Sequence, residues 1–123
     1  MTDAARREPV MDIGTELLFE NEAVRVWSME LAPGEDSPYH LHTRDYLFVY
    51  TTPSKIAFVE PSGQLGETRK YSDGFVNYLT VGGGLTHQIR NVSDVPHRQI
   101  LVEFKTLKDV APAGNNGRQS EPL

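Results

Sequence analysis

Four histidines are the residues of this chain best suited to chemistry: His40, His42, His87 and His97. Two of them form His40-Leu41-His42. In an extended strand residues i and i+2 point to the same side, so both imidazoles enter one space. That spacing alone fits two surface histidines beside Tyr39 as well as it fits a pair of ligands. His87 follows Gly82-Gly83-Gly84 and alternates with Leu85 and Ile89, which predicts an inward-facing imidazole. An interior imidazole without a partner costs on the order of 1–3 kcal/mol. It therefore needs either a buried hydroxyl or a metal that takes its lone pair together with those of His40 and His42. Neutral imidazole suits divalent transition metals, and three such ligands leave coordination positions open to water or substrate. His97, just after Pro96, is expected in an exposed turn and outside the site.

The elements that must position these side chains read as strands. Apolar residues recur with period two almost throughout, and no window joins a helix cap to an amphipathic run. Residues 22–32 alternate and stop at Pro33-Gly34. Residues 45–51, with Tyr46, Leu47, Phe48, Val49 and Tyr50, suit a strand buried on both faces. Residues 55–60 alternate through Ile56 and Phe58, and the polar stretch 64–71 lies between two turn clusters as an exposed edge strand. Residues 75–81, 85–92 and 98–105 complete eight or nine short strands, the pattern of a β-sandwich or closed barrel. One all-β domain is expected over residues 11–106, with an N-terminal arm at 1–10 and a flexible tail at 107–123.

The 123 residues carry a formal charge of −5, which argues against nucleic-acid or anionic-membrane partners, since both favour a basic face. The absence of cysteine excludes disulfides, thiolate metal sites and thiol nucleophiles. The first twelve residues contain no apolar leader-like run and no stretch is long enough to span a bilayer, so a cytoplasmic protein is expected. Among other polar residues, Asn77 or Tyr78 must face the interior. Arg25, Arg90 and Glu103 could bind a carboxylate or a cation, though charged strand residues commonly lie on the solvated face. Phe48, Tyr50, Ile56, Phe58, Val102 and Phe104 read as barrel packing.

The sequence resembles the cupins. Their first motif, G(X)5HXH(X)3,4E(X)6G, is matched in its opening half by Gly34, five residues, and His40-Leu41-His42. Their second, G(X)5PXG(X)2H(X)3N, is matched in its closing half by Gly84, His87 and Asn91. The first motif's glutamate, commonly a fourth ligand, would fall at Tyr46 or Leu47. Its closing glycine would fall at Pro53 or Ser54, and Gly82 and Val76 replace the proline and first glycine of the second motif. The run from His40 to Tyr46 is similar to an HxHxxDY variant found in small single-domain bacterial cupins. Asp45 is one residue early for the missing carboxylate, and a one-residue shift along a strand reverses a side chain.

The resemblance implies a double-stranded β-helix, or jelly-roll barrel, with one divalent transition metal (Fe, Zn, Ni or Mn) held by His40, His42 and His87. It places Tyr46 beside that site as the candidate catalytic acid/base, or as packing. Similar three-histidine cupins include dioxygenases, and related sites occur in lyases and isomerases. A small carboxylate or dicarbonyl metabolite is the substrate class implied. The alternatives are a non-catalytic metabolite-binding or sensing cupin, and a metal-free jelly roll. A homodimer is expected, since small cupins commonly pair and two-fold symmetry is the commonest arrangement.

Overall fold

The computed structural model describes residues 8–105, so residues 1–7 of the expected arm and the expected tail at 107–123 lie outside the described residues. Ten strands follow one another: β1 (Glu16–Glu20), β2 (Val24–Leu31), β3 (His40–His42), β4 (Tyr46–Tyr50) and β5 (Ser54–Val59), then β6 (Leu65–Tyr71), β7 (Val76–Leu79), β8 (Leu85–His87), β9 (Ile89–Asn91) and β10 (His97–Phe104). No helix occurs among the described residues. The strands form a five-stranded sheet ordered β1-β2-β10-β4-β7, a three-stranded sheet β6-β5-β9, and the short pair β3-β8. All pairings between these strands are antiparallel.

The period-two pattern sorts side chains as expected. Trp27, Met29 and Leu31 of β2, Tyr46 and Tyr50 of β4, and Leu101 of β10 are buried, and Ile56 and Ile89 close the core from the smaller sheet. β6 is an exposed edge strand, in line with its polar sequence.

Several local readings change. Residues 85–92 are not one strand but two, interrupted at Gln88, with β8 pairing β3 and β9 pairing β5. The break lets one segment cross between sheets, and the buried Gln88 amide caps the crossing by donating to the Ser37 carbonyl at 2.9 Å. β1 lacks an alternating pattern and is exposed along its whole length, so periodicity does not reveal it. Val10, at the end of the expected arm, bridges to His40, with its N–H donating to Tyr39 O and its C=O accepting from Leu41 N–H.

Two glycines are required by geometry. Gly84 has φ of +128° at the turn entering β8, where its N–H donates to Val81 O. Gly14 lies against β2 so closely that a Cβ there would meet Ser28 O and Trp27 Cβ at 2.6 Å.

Candidate metal centre

β3 and β8 bring three histidines together. His40 is paired in register with His87, and His42 lies two residues along β3 on the same side. Each offers a ring nitrogen, and these atoms lie within 4.8 Å of one another. His40 and His42 are fully buried and His87 is partly buried. The rings meet edge to face, with centroids 4.6–4.9 Å apart.

The nitrogens are oriented by their surroundings. His40 Nδ1 lies 2.8 Å from Pro38 O, which requires an N–H there and leaves Nε2 as the free lone pair. His42 Nε2 and His87 Nε2 lie 3.0 Å apart. Two nitrogens each about 2.1 Å from one ion, at a right angle to one another, are about 3.0 Å apart. That separation therefore fits ligands of a common cation as well as it fits a hydrogen bond. Burial lowers the basicity of all three rings, and neighbouring imidazoles depress it further for His42, held at about 2, and His87, held at about 3. Neutral imidazoles with converging lone pairs are the form that binds a divalent transition metal, so the donor set fits the metal that the motifs imply. His42 Nδ1 is buried and has no hydrogen-bond partner among the described residues.

Tyr46, at the position of the absent carboxylate, is 1% exposed. Its ring stacks on His42 with centroids 3.9 Å apart and planes 6° from parallel. Burial raises its pKa, so the phenol is neutral near pH 7 and suited to donating a hydrogen bond. Asp45 turns away from the cluster, accepting from Val81 N–H at 3.1 Å and Tyr78 O–H at 3.4 Å. Asn77, and not Tyr78, lines the interior cavity.

His40 and His87 line a cavity of about 540 Å³, walled also by Tyr46, Phe48, Tyr50, Phe58, Tyr71 and Phe75, with the fully buried His42 just behind that lining. Tyr50 and Phe48 thus pack as expected and also form the cavity wall. Phe58 is 38% exposed, less buried than a packing residue would be, and its ring lies beside His87 at a centroid distance of 6.0 Å. The polar members Gln99 and Arg69 carry no distinguishing signal in the sequence. Gln99 sits in an alternating strand whose neighbours signal burial, and Arg69 sits in a polar edge strand.

Two further expectations require correction. His97 is not an exposed turn residue but the fully buried first residue of β10, with Nδ1 2.7 Å from Ser54 Oγ and Nε2 2.7 Å from Gln99 Oε1. The proline before it ends the turn, and the strand begins one residue earlier than its apolar pattern. Both ring nitrogens are occupied, and His97 stays outside the cluster. Glu103 is not on a solvated face: it is 3% exposed and accepts from Trp27 Nε1–H at 3.0 Å and Arg25 at 3.2 Å. Its charge is compensated across the sheet, which allows burial. Arg90 pairs with Asp36 away from the cavity.

No family model matches the sequence, and no curated protein matches it. Solved structures do. A cupin domain of Bordetella pertussis is 25% identical with a TM-score of 0.64, over 80% of this chain and 98% of that one. A Klebsiella pneumoniae protein with a double-stranded β-helix domain is 15% identical with a TM-score of 0.56, over 78% of this chain and 83% of its own. A Bacillus halodurans protein is 16% identical with a TM-score of 0.55, over 83% of this chain and 75% of its own. The last two show the shared double-stranded β-helix fold.

Proposed function

We propose that this chain, a small cupin, takes its ligand in the barrel interior, and that His40, His42 and His87 hold one divalent transition metal there. The observation that carries this is the convergence of three oriented, neutral imidazoles at the end of an aromatic-walled cavity. A bound dication would supply Lewis acidity toward an oxygen-rich ligand. The ligand class that fits is a small carboxylate or dicarbonyl metabolite, with chemistry of the dioxygenase, lyase or isomerase kind. Tyr46 donates a hydrogen bond to the ligand, and the aromatic walls exclude water around its body. Oxygen uptake by Fe(II)-loaded protein over a panel of β-dicarbonyl and thiol acids tests the oxidative form. Turnover supports it, and binding without turnover of any panel member refutes it.

One observation favours a second reading, a binding or sensing cupin. Among the described residues lining the cavity none is a carboxylate, so Tyr46 is the only proton-transfer group beside the cluster. For the surroundings, a cytoplasmic setting and a homodimer remain our proposal. The outward row Val26, Val102, Leu47 and Tyr78 crosses four neighbouring strands in register and is half-buried and largely apolar, a face that a second copy can cover about a two-fold axis. A sedimentation mass of twice 13.8 kDa supports the dimer, and one of 13.8 kDa refutes it.

A further inference from the structure

The end of the cavity remote from the histidines has its own polar equipment. Tyr46, beside the cluster, and Tyr50 lie on the same face of β4, about 14 Å apart at roughly 3.4 Å per residue. Gln99 is the cross-strand neighbour of Tyr50, so it belongs to the remote end. Its carboxamide is held from behind: Oε1 lies 2.7 Å from His97 Nε2, and His97 Nδ1 lies 2.7 Å from Ser54 Oγ. All three residues are buried. The hydrogen-bond chain runs in one direction. The Gln99 Oε1 can only accept, so His97 carries its proton on Nε2, and its Nδ1 accepts from the Ser54 hydroxyl, for which Nδ1 at 2.7 Å is a nearer acceptor than the Thr52 carbonyl at 3.1 Å. The Gln99 amide nitrogen is then the group left for the cavity, and it has no hydrogen-bond partner among the described residues. His97 itself does not line the cavity, whereas Gln99 does.

Arg69 lines the same cavity, two residues before Tyr71 on one side of β6. Tyr71 in turn packs edge-on against Tyr50 at 5.0 Å. Arg69 interacts with Tyr71 and is paired with Glu67 at 3.1 Å, but the Arg69 and Glu67 side chains are more than half exposed, so that pair is weak and a ligand carboxylate can compete for the guanidinium. Phe48 and Phe75 supply an apolar wall between the two ends.

Taking the cavity as the ligand site proposed above, we propose that Gln99, positioned by His97, and Arg69 together select a ligand with a carboxylate at the end remote from the histidine cluster. The ligand is then an elongated organic acid with an apolar or aromatic body: one oxygen group meets the histidine end, and the remote carboxylate accepts from the Gln99 amide and the Arg69 guanidinium. Gln99 is the specificity-determining residue, and His97 is a positioning residue that fixes which way the carboxamide faces.

Two measurements on the full chain test this. A long-range proton–nitrogen correlation spectrum of the imidazoles should show His97 neutral and protonated on Nε2. An Nδ1-protonated ring would turn the carboxamide around, present its oxygen to the cavity and overturn the proposal. Calorimetric titration then compares para-phenylenediacetate with para-tolylacetate, in which a methyl group replaces the remote carboxylate. The diacid should bind about tenfold more tightly, the scale of one charge-assisted hydrogen bond. Gln99→Leu should reduce that preference several-fold without weakening the monoacid, Gln99→Glu should reverse it, Arg69→Ala should reduce it several-fold, and Gln99→Leu with Arg69→Ala should abolish it. Equal affinities in the unsubstituted protein, a preference undiminished in Gln99→Leu, or no binding of either acid would each refute the proposal. Zinc content read on the same samples separates this from the metal assignment: a chain that takes up no zinc should still prefer the diacid.

Discussion

Lowering the pH on metal-free protein should destabilise the fold steeply, because His42 and His87 are buried as neutral rings. Their pKa values are held at about 2 and about 3 against an ordinary value of 6.5. In the unfolded chain both become protonated as the pH falls through about 6.5, whereas in the folded chain they do not. The unfolded state therefore binds more protons, and stability is present above pH 6.5 and lost below it. Each ring contributes about 1.4 kcal/mol per pH unit once well below 6.5, so the pair should cost about 4 kcal/mol between pH 8 and pH 5. That is a large share of the 5–15 kcal/mol that typically separates folded from unfolded domains. Urea unfolding at pH 8, 7, 6 and 5 measures it directly, with the midpoint falling and the slope m unchanged. His42→Leu with His87→Leu should remove that share of the pH dependence while leaving the fold, and the part contributed by His40 and His97, which burial also holds below the ordinary range, should remain. A flat stability from pH 8 to pH 5, or an unchanged dependence in the double variant, would refute the assignment of neutral, buried imidazoles.

Tyr46→Phe should keep the metal but weaken ligand binding or turnover, by up to about a hundredfold if the phenol proton is needed; metal loss equal to that of His87→Ala would make Tyr46 a ligand. Asn91→Ala should cost about 2–4 kcal/mol in urea unfolding, since the fully buried amide donates to Leu31 O and Val95 O and accepts from Ser93. A loss below about 1 kcal/mol would show that this motif residue is not structural. Gly14→Ala should destabilise by about 2 kcal/mol or more, because its Cβ would lie 2.6 Å from Ser28 O, and an unchanged midpoint would contradict that packing.

The strands and the cluster were legible in the sequence for different reasons. Period-two alternation reports which face is buried, so β2 and β5 follow from it, and His40 and His42 fall on one face by spacing alone; β4, apolar at every position, reads as buried on both faces, yet Leu47 and Val49 are only half-buried on its outward side. His87 could be assigned inward because Leu85 and Ile89 flank it at the same period, although the strand breaks at Gln88 between them. What alternation cannot report is a polar residue buried with a distant partner. Glu103 is compensated by Arg25 and Trp27 more than seventy positions away, and His97 by Ser54, 43 positions away. Those pairings exist only once the sheets are assembled. β1 escaped notice because it is exposed on both faces and carries no periodic signal.

Metal content per chain, measured on the unsubstituted protein and on single alanine variants, tests the histidine cluster most directly. One divalent metal per chain is expected, falling sharply in His40→Ala, His42→Ala and His87→Ala and unchanged in His97→Ala. A protein that takes up no metal after reconstitution, or one that loses it equally on His97→Ala, would contradict the three-histidine centre.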